Sequence, residues 1–338
     1  MATQCLSLLS AFELPWRSAR HQLSFEHAEA SEERAAQHGL LVRDADDPNR
    51  QRFRAFVELD CFVYPYTSLP VLGAVGGFNQ WLYFLDDQYD DHPETHGDLT
   101  GIRRIMQRAY ELLAGTSAAP AKTPFEQFTR ALRLDLLALA PTGFMPRFLE
   151  NVHDYLFDGS LEAIAHWARA ETLPLEDYIE LRALDSGVYP VIDCIEIAGG
   201  LRLSADVLRH DSVRQLVRCA VRHVALANDI FSYEKEVLLN GSTMNLVHVV
   251  SEREGRTLDS AVGRAVEIVN GFARDFIQAE RHLPKLSPAQ DLALRVFAHG
   301  MHAWMRGNVD FSLQSRRFRS GTSPIRELRE SEPLALLG

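Results

Sequence analysis

Two groups of oxygen-bearing side chains have a spacing that could bind a cation. The first ends an apolar run in the segment WLYFLDDQYDD (81–91), where Asp86 and Asp90 are four residues apart and Asp87 stands beside Asp86. Residues four apart share a helix face, and like charges at that spacing destabilise a helix. We therefore expect positive charge against them. Taken alone, such a cluster equally fits a solvated acidic helix end.

The second group is the segment NDIFSYEKE (228–236), in which Asn228, Ser232 and Glu236 recur every four residues. They form one stripe of a helix, with ends roughly 12 Å apart at ~1.5 Å per residue. Amide, hydroxyl and carboxylate oxygens could converge there on one ion, and Mg²⁺ prefers such ligands. Asp229 lies on the neighbouring face and is expected to matter less. The preceding residues 219–227 are too apolar for a surface helix.

Together the two groups resemble the aspartate-rich and NSE metal-binding motifs of class I terpene synthases, the microbial cyclases. Two further segments strengthen the resemblance. RALDSG (182–187) is similar to the family's pyrophosphate-sensor arginine, linker aspartate and effector region at a helix break. WMRGNVDFSLQSRRF (304–318) is similar to the terminal segment that normally ends in Arg-Tyr. The resemblance extends from about Phe12 to Arg319.

The resemblance implies three Mg²⁺ ions per active site, with Mn²⁺ able to replace them. Their ligands would be Asp86, Asp87, Asp90, Asn228, Ser232 and Glu236. The sensor and effector region would comprise Arg182, Asp185, Ser186 and Gly187. The diphosphate would be bound by Arg182, Lys235 and Arg317. From the local sequence alone, Arg182 also fits a helical salt bridge with Asp185 and nothing more.

The activity that the resemblance implies is ionisation and cyclisation of a linear isoprenoid diphosphate, which releases pyrophosphate and gives a cyclic terpene hydrocarbon or alcohol. Such an enzyme is a carbon–oxygen lyase; farnesyl diphosphate is the preferred substrate and geranylgeranyl diphosphate the second choice. Two alternatives stay open. A chain-elongating prenyltransferase has the same fold but should carry a second aspartate-rich motif, where this chain has Asn-Asp-Ile-Phe-Ser (228–232). A non-catalytic helical metal-binding or interaction module could use the Asp cluster for Ca²⁺ or leave it solvated.

Departures from the family pattern fall at the C-terminal segment. Phe318 stands in the tyrosine place, so the usual phenol hydrogen bond to diphosphate cannot form, and Phe311 replaces the family's tryptophan. Tyr83, Phe62 and Trp304 are predicted to line the substrate pocket, because aromatic ring faces stabilise carbocations. Each ring taken singly also fits plain core packing.

The elements that must position these residues are helices, because the apolar periodicity is helical almost throughout. Asp47-Pro48, Thr123-Pro124 and Ser287-Pro288 each offer an N-cap followed by proline at the first helical position. No stretch shows sustained β-type alternation bounded by hairpin turns. We predict an all-α fold: a single large antiparallel bundle of about ten to twelve helices around a central apolar cavity. One catalytic domain would span 1–338, with residues 1–20 and 320–338 flexible.

Composition narrows the partners and the compartment. The net charge is −11 (35 − 46), which argues against nucleic acid and against stable binding to anionic membranes. The N-terminus has no basic region of a secretory signal, and no apolar run is long enough to span a bilayer. Four cysteines without metal-ligand spacing indicate free thiols in a reducing cytoplasm. The histidines show no zinc spacing, and a homodimer is the base-rate expectation.

Overall fold

The computed structural model describes residues 11–44, 46–86, 97–320, 323–325 and 328–329. Within these ranges the chain is helical, and its one extended pairing is an isolated bridge between Ser320 and Arg329. The all-α prediction is therefore confirmed. The described residues form thirteen helices when 144–168 is counted as one, slightly more than predicted. A five-residue helix at 205–209 is too short for periodicity to reveal.

The helices are named here in chain order. Their bounds are α1 (Ser24–Gln37), α2 (Pro48–Val63), α3 (Leu69–Asp86), α4 (Leu99–Ala114), α5 (Pro124–Leu139), α6 (Phe144–His153), α7 (Leu161–Ala168), α8 (Leu175–Asp185), α9 (Val188–Ala198), α10 (Ala205–Arg209), α11 (Asp211–Tyr233), α12 (Leu246–Glu254), α13 (Leu258–Glu280) and α14 (Pro288–Gln314). A π-helical segment, Asp154–Ser160, joins α6 to α7, and a second, Glu234–Leu239, extends α11. A short 3₁₀ turn, Arg316–Phe318, follows α14.

The three predicted cap-proline starts are present. Asp47 accepts a hydrogen bond from the Asn49 amide at 2.9 Å, and Thr123 accepts one from the Glu126 amide at 3.2 Å. Ser287 accepts a longer bond from the amide of Gln290, at 3.5 Å. Each cap satisfies a backbone donor that the first helical turn leaves without a partner. The local sequence thus sets where α2, α5 and α14 begin.

The core is built around α3 and α11, which carry the two predicted metal motifs. Helix α11 packs against α8, α13 and α14, and α3 packs against α5 and α9. Trp81 and Phe78 of α3 stack on each other in the fully buried core. Burying such large side chains stabilises a fold by about 1.5–3 kcal/mol each. The carboxyl ends of α3 and α11 are therefore fixed by extensive packing.

The N-terminal segment that was predicted to be flexible is partly described. Phe12 stacks on Phe231 of α11, with ring centroids 5.8 Å apart, and Trp16 stacks on His302 of α14 at 4.2 Å. Residues 11–20 are therefore packed on the helical core, because these rings find partners there. Residues 1–10 and 330–338 lie outside the described part of the chain.

Two further predictions concern membrane-spanning helices and thiols. Within the described ranges, no helix combines the length and hydropathy that crossing a bilayer requires. Cys61, Cys194 and Cys219 are buried and free, as predicted, and Cys5 lies outside the described residues.

Candidate metal and anion site

Asp86 is the last described residue of α3, and its carboxylate is surrounded by groups from other elements. The Tyr155 hydroxyl, from the first π-helical segment, donates to Asp86 Oδ1 at 3.1 Å. Burial raises the pKa of Asp86 to about 7; the negative charge of Asp185 adds to the rise, and Arg317 and Lys235 oppose it. The charges that act on Asp86 thus come from three of the predicted site segments. Asp87 and Asp90 lie outside the described residues.

Arg182 joins the linker aspartate to the second motif. Its Nε donates to Asp229 Oδ1 at 2.8 Å, Nη1 to Asp185 Oδ2 at 3.2 Å and Nη2 to Asn228 Oδ1 at 3.4 Å. Burial alone would lower its pKa, but the charges of Asp229 and Asp185 raise that pKa well above the ordinary value. Arg182 is thus a largely buried, permanently charged side chain between α8 and α11. The Arg182–Asp185 salt bridge that the local sequence allows is present, and Arg182 also bonds to Asp229 and Asn228.

The second motif lies where α11 passes into its π-helical extension. The Ser232 hydroxyl donates to the Asn228 carbonyl at 2.9 Å, and Glu236 accepts from Asn245 Nδ2 at 2.9 Å. A π-helix closes its hydrogen bonds over five residues instead of four and so turns less per residue. Glu236 therefore lies nearer the face of Ser232 than a continuous α-helix would place it. Burial and the charge of Asp229 raise the pKa of Glu236, and Arg182 opposes them.

Asp229 is fully buried beside this motif. Its carboxylate accepts from the Tyr178 hydroxyl, from Arg182 and from the Leu246 amide at 2.9 Å. Asn245 Nδ2 donates to its backbone carbonyl at 2.8 Å. Asp229 thus ties α11 to α8 and to the start of α12. The side of α11 that carries Asp229 packs against those helices. Asp229 therefore has a structural role, which its position next to the Asn228, Ser232 and Glu236 stripe did not predict.

The predicted effector region is at a helix break, as its sequence indicated. Gly187 has φ +67°, a left-handed conformation that favours glycine, and it separates α8 from α9. A β-carbon on Gly187 would lie 3.1 Å from Leu82 Cδ1, one turn before Asp86. Ser186 Oγ donates to the Ala183 carbonyl at 3.1 Å. The backbone at Ser186 and Gly187 therefore abuts the helix that carries the first motif.

A second glycine allows the first π-helical segment to pack closely against α8. A β-carbon on Gly159, in the first π-helical segment, would lie 2.6 Å from the Asp185 nitrogen and the Leu184 carbonyl carbon. Only a residue without a side chain lets α8 approach so closely. The same segment carries Tyr155, so it supports Asp185 and Asp86 together. Burial raises the pKa of Asp185, although the charge of Arg182 acts against that rise.

The predicted cations and aromatic side chains are only partly brought together. Lys235 is exposed at the start of the π-helical extension, and Arg317 is exposed in the 3₁₀ turn; both act electrostatically on Asp86. Tyr83 lies on α3 beside Phe56, with ring centroids 4.9 Å apart. Trp304 is buried against Tyr64.

Among the described residues, the neighbours of Phe62 do not include Asp86. The Arg20 guanidinium lies over its ring at 5.4 Å. Phe62 also lines a small cavity of about 140 Å³ together with Trp16 and His302. Its place in a substrate pocket stays a prediction. Phe56, six residues earlier on α2, contacts Tyr83, which lies one turn before Asp86 on α3.

Three site residues escaped the sequence analysis. Tyr155 contacts Asp86 from far along the chain, and no local pattern marks it. Tyr178 precedes Arg182 by one helical turn, so it shares a face with that residue, but its link to Asp229 depends on how α8 and α11 pack. Asn245 had a usable signal, because an asparagine before an apolar helical run is a typical N-cap, and it caps α12 through the Val247 amide.

The donor set fits a hard divalent cation. Asp86, Asn228, Ser232 and Glu236 offer oxygen ligands, and burial raises the pKa of both carboxylates although nearby cations oppose the rise. A separate cluster on the surface, His153, Asp154 and Asp158, has ligand atoms within 4.8 Å of one another. Exposed acidic groups of that kind are common without an ion.

Comparison with known proteins agrees with this chemistry. The family model described as "Terpene synthase family 2, C-terminal metal binding" matches residues 77–275. A 10-epi-cubebol synthase of Sorangium cellulosum is 27% identical over 279 residues, covering 82% of this chain and 88% of that protein. A (+)-T-muurolol synthase of Roseiflexus castenholzii, named as farnesyl diphosphate cyclizing, is 28% identical over 291 residues and covers 84% and 86%.

Solved structures show the same fold. The SVS_A2 protein, obtained by ancestral sequence reconstruction, superposes with a TM-score of 0.78 at 21% identity, covering 90% of this chain and 89% of that one. Germacradien-4-ol synthase from Streptomyces citricolor gives a TM-score of 0.74 at 22% identity, with 89% and 99% covered. At such identities the likeness establishes the fold alone.

Proposed function

The chain belongs to terpene synthase family 2, and on that premise we propose that it ionises and cyclises a linear prenyl diphosphate. It is a terpene cyclase, a lyase that acts on a diphosphate and depends on divalent metal. The observation that carries the proposal is the fork of Arg182, which joins Asp185 to Asp229 and Asn228 of the second motif, while the charge of Asp185 acts on Asp86. Partly buried carboxylates in excess of nearby cations suit a site that is completed by metal ions and an anionic substrate.

The metal ligands that we propose are those of the two motifs. Asp86, with Asp87 and Asp90, would hold two Mg²⁺ ions, and Asn228, Ser232 and Glu236 a third; Mn²⁺ can replace them. When bound, these ions neutralise the diphosphate and act as Lewis acids on its departing oxygen. Hard oxygen donors of mixed charge support this choice of metal.

The chain itself contributes binding and orientation. Arg182 has five N–H donors and uses three on Asp229, Asp185 and Asn228, so two remain for diphosphate oxygens. Lys235 and Arg317 would add positive charge from the π-helical extension and the C-terminal turn. Fixed donors aimed at developing negative charge stabilise the departing pyrophosphate without reorganising.

The carbocation that remains would be shaped by the apolar surface below the acidic rim. Tyr83 and Trp304 are the aromatic side chains that we propose for this wall, since ring faces attract cations. Ser186 and Gly187 would present backbone carbonyls from the helix break. Exclusion of water decides between a hydrocarbon and an alcohol product.

We infer that farnesyl diphosphate is the preferred substrate and geranylgeranyl diphosphate the second. Support comes from relatives such as the (+)-T-muurolol synthase, whose name specifies cyclisation of (2E,6E)-farnesyl diphosphate. The chain spans most of those relatives, so the whole catalytic unit is compared.

The test is incubation with geranyl, farnesyl and geranylgeranyl diphosphate in Mg²⁺, with analysis by gas chromatography and mass spectrometry. We expect a cyclic product from farnesyl diphosphate, none in excess chelator, and none from Asp86→Ala. Asp158→Asn is the matched control, because it alters the surface cluster and should leave activity unchanged. In parallel reactions supplied with isopentenyl diphosphate as second substrate, a longer diphosphate would instead identify a prenyltransferase, and unchanged substrate in every reaction would refute catalysis.

A further inference from the structure

The guanidinium of Arg317 lies among three aromatic rings. Its central carbon is 5.6 Å from the ring centroid of Phe56, 5.9 Å from that of Tyr83 and 5.9 Å from that of Phe318. We call these three rings the Arg317 box. They come from α2, α3 and the 3₁₀ turn. A cation within about 6 Å of a ring face is attracted by the ring's quadrupole.

The walls of the box are held by the protein core. Tyr83 packs edge-on against the fully buried Phe53, with centroids 5.8 Å apart. Phe318 contacts the buried Phe231 and Phe311, each at 6.1 Å. Phe231 lies inside the second metal motif, so one wall of the box rests on the helix that carries that motif.

Arg317 itself is exposed on a three-residue turn. Within the described part of the chain it forms no ion pair within 4 Å, although its charge acts on Asp86. Backbone and charge pairing therefore fix it weakly, and the rings are its main side-chain contacts. A cation–π contact uses the charge and the face of the guanidinium and occupies none of its N–H donors.

We propose, on the basis of the function proposed above, that Phe56, Tyr83 and Phe318 are positioning residues that hold Arg317 beside the Asp86 rim with its N–H donors open to a diphosphate. Phe318 thus has a role at the position where the family resemblance described above implies tyrosine. The phenol would bind diphosphate directly, whereas this ring acts through Arg317. Fixing a flexible arginine beforehand lowers the entropy that binding costs.

The experiment is calorimetric titration of the full chain with inorganic pyrophosphate in Mg²⁺. Phe56→Leu removes one ring and keeps apolar bulk, so we expect binding to weaken roughly 3- to 30-fold, the range that a cation–π contact supports. In an Arg317→Ala background, Phe56→Leu should have no further effect. Phe318→Leu should weaken binding similarly, whereas Phe318→Tyr, which keeps the ring and adds a phenol, should bind pyrophosphate at least as tightly as the starting protein.

Phe25→Leu is the matched control. It removes an exposed ring under Arg54, at 5.3 Å, far from the site in sequence, and should not change pyrophosphate affinity. The positioning role of the Arg317 box would be refuted if Phe56→Leu left the pyrophosphate affinity unchanged. It would also be refuted if Phe56→Leu weakened binding equally with and without Arg317. If the starting protein binds pyrophosphate but converts no prenyl diphosphate, the proposed function fails while the box is still tested by the same titrations.

Discussion

Replacing Asp86 by Asn should stabilise the metal-free protein, and more so at high pH. Burial raises the pKa of Asp86 from an ordinary 3.8 to about 7. An acid whose pKa is higher in the folded protein than in the unfolded chain favours folding only while protonated. That contribution is complete below the unfolded value and is lost as pH rises through about 7. Asn keeps the acceptor for Tyr155 and does not titrate.

The size follows from the shift. Roughly three pKa units at about 1.36 kcal/mol each give an upper bound near 4 kcal/mol at pH 8. Water reaches part of this carboxylate, so we expect about 2 kcal/mol at pH 8 and less than about 1 kcal/mol at pH 5.

Urea unfolding in chelator at pH 5, 6.5 and 8 measures the difference. Asp158→Asn, on an exposed carboxylate, serves as the control and should change the free energy of unfolding little at any pH. A gain for Asp86→Asn that does not grow with pH, or a loss at pH 8, would refute the reasoning about burial.

Three further outcomes are expected at the second motif. Glu236→Gln should lower kcat by about 100- to 1000-fold, and Ser232→Ala by about 10-fold, in steady-state assays with Mg²⁺; equal effects would contradict a shared ion. Asp229→Asn should destabilise the fold by about 1–3 kcal/mol in thermal unfolding, because Arg182 loses the more buried of its two counter-charges and keeps Asp185; an unchanged Tm would argue against this role. Asn245→Ala should cost about 1–2 kcal/mol and weaken Mg²⁺ binding, and unaltered metal affinity would show that its bond to Glu236 is dispensable.

The parts of the fold that could be predicted are those set by nearby residues. Asp47, Thr123 and Ser287 begin their helices because each cap acts on an amide two or three positions away. The break at Gly187 follows from one residue's backbone preference. Such features need no knowledge of what packs against them.

Features that depend on neighbouring helices were out of reach. Asp229 has a structural role because it accepts hydrogen bonds from Tyr178 and from the start of α12. Both partners are distant in sequence and come close to it only in the folded chain. The π-helical turn at Glu234–Leu239 leaves composition and motif spacing unchanged, so periodicity does not reveal it. From the sequence, Phe318 indicated only that a hydrogen bond to diphosphate is lost. Its ring contacts in the folded chain suggest a different role.

The close approach at Gly159 has a consequence for gene shuffling among relatives. The surface around Gly159 and the backbone of α8 fit one another, yet only the α8 side, at Leu184 and Asp185, belongs to a recognised motif. A chimera with a crossover in residues 169–174 would take the Gly159 surface from one parent and α8 from another. The two surfaces would then not be matched, even if every metal ligand were retained. Crossovers placed before residue 144 or after residue 198 would inherit the pair intact. Libraries built on motif boundaries alone should therefore lose function at this seam.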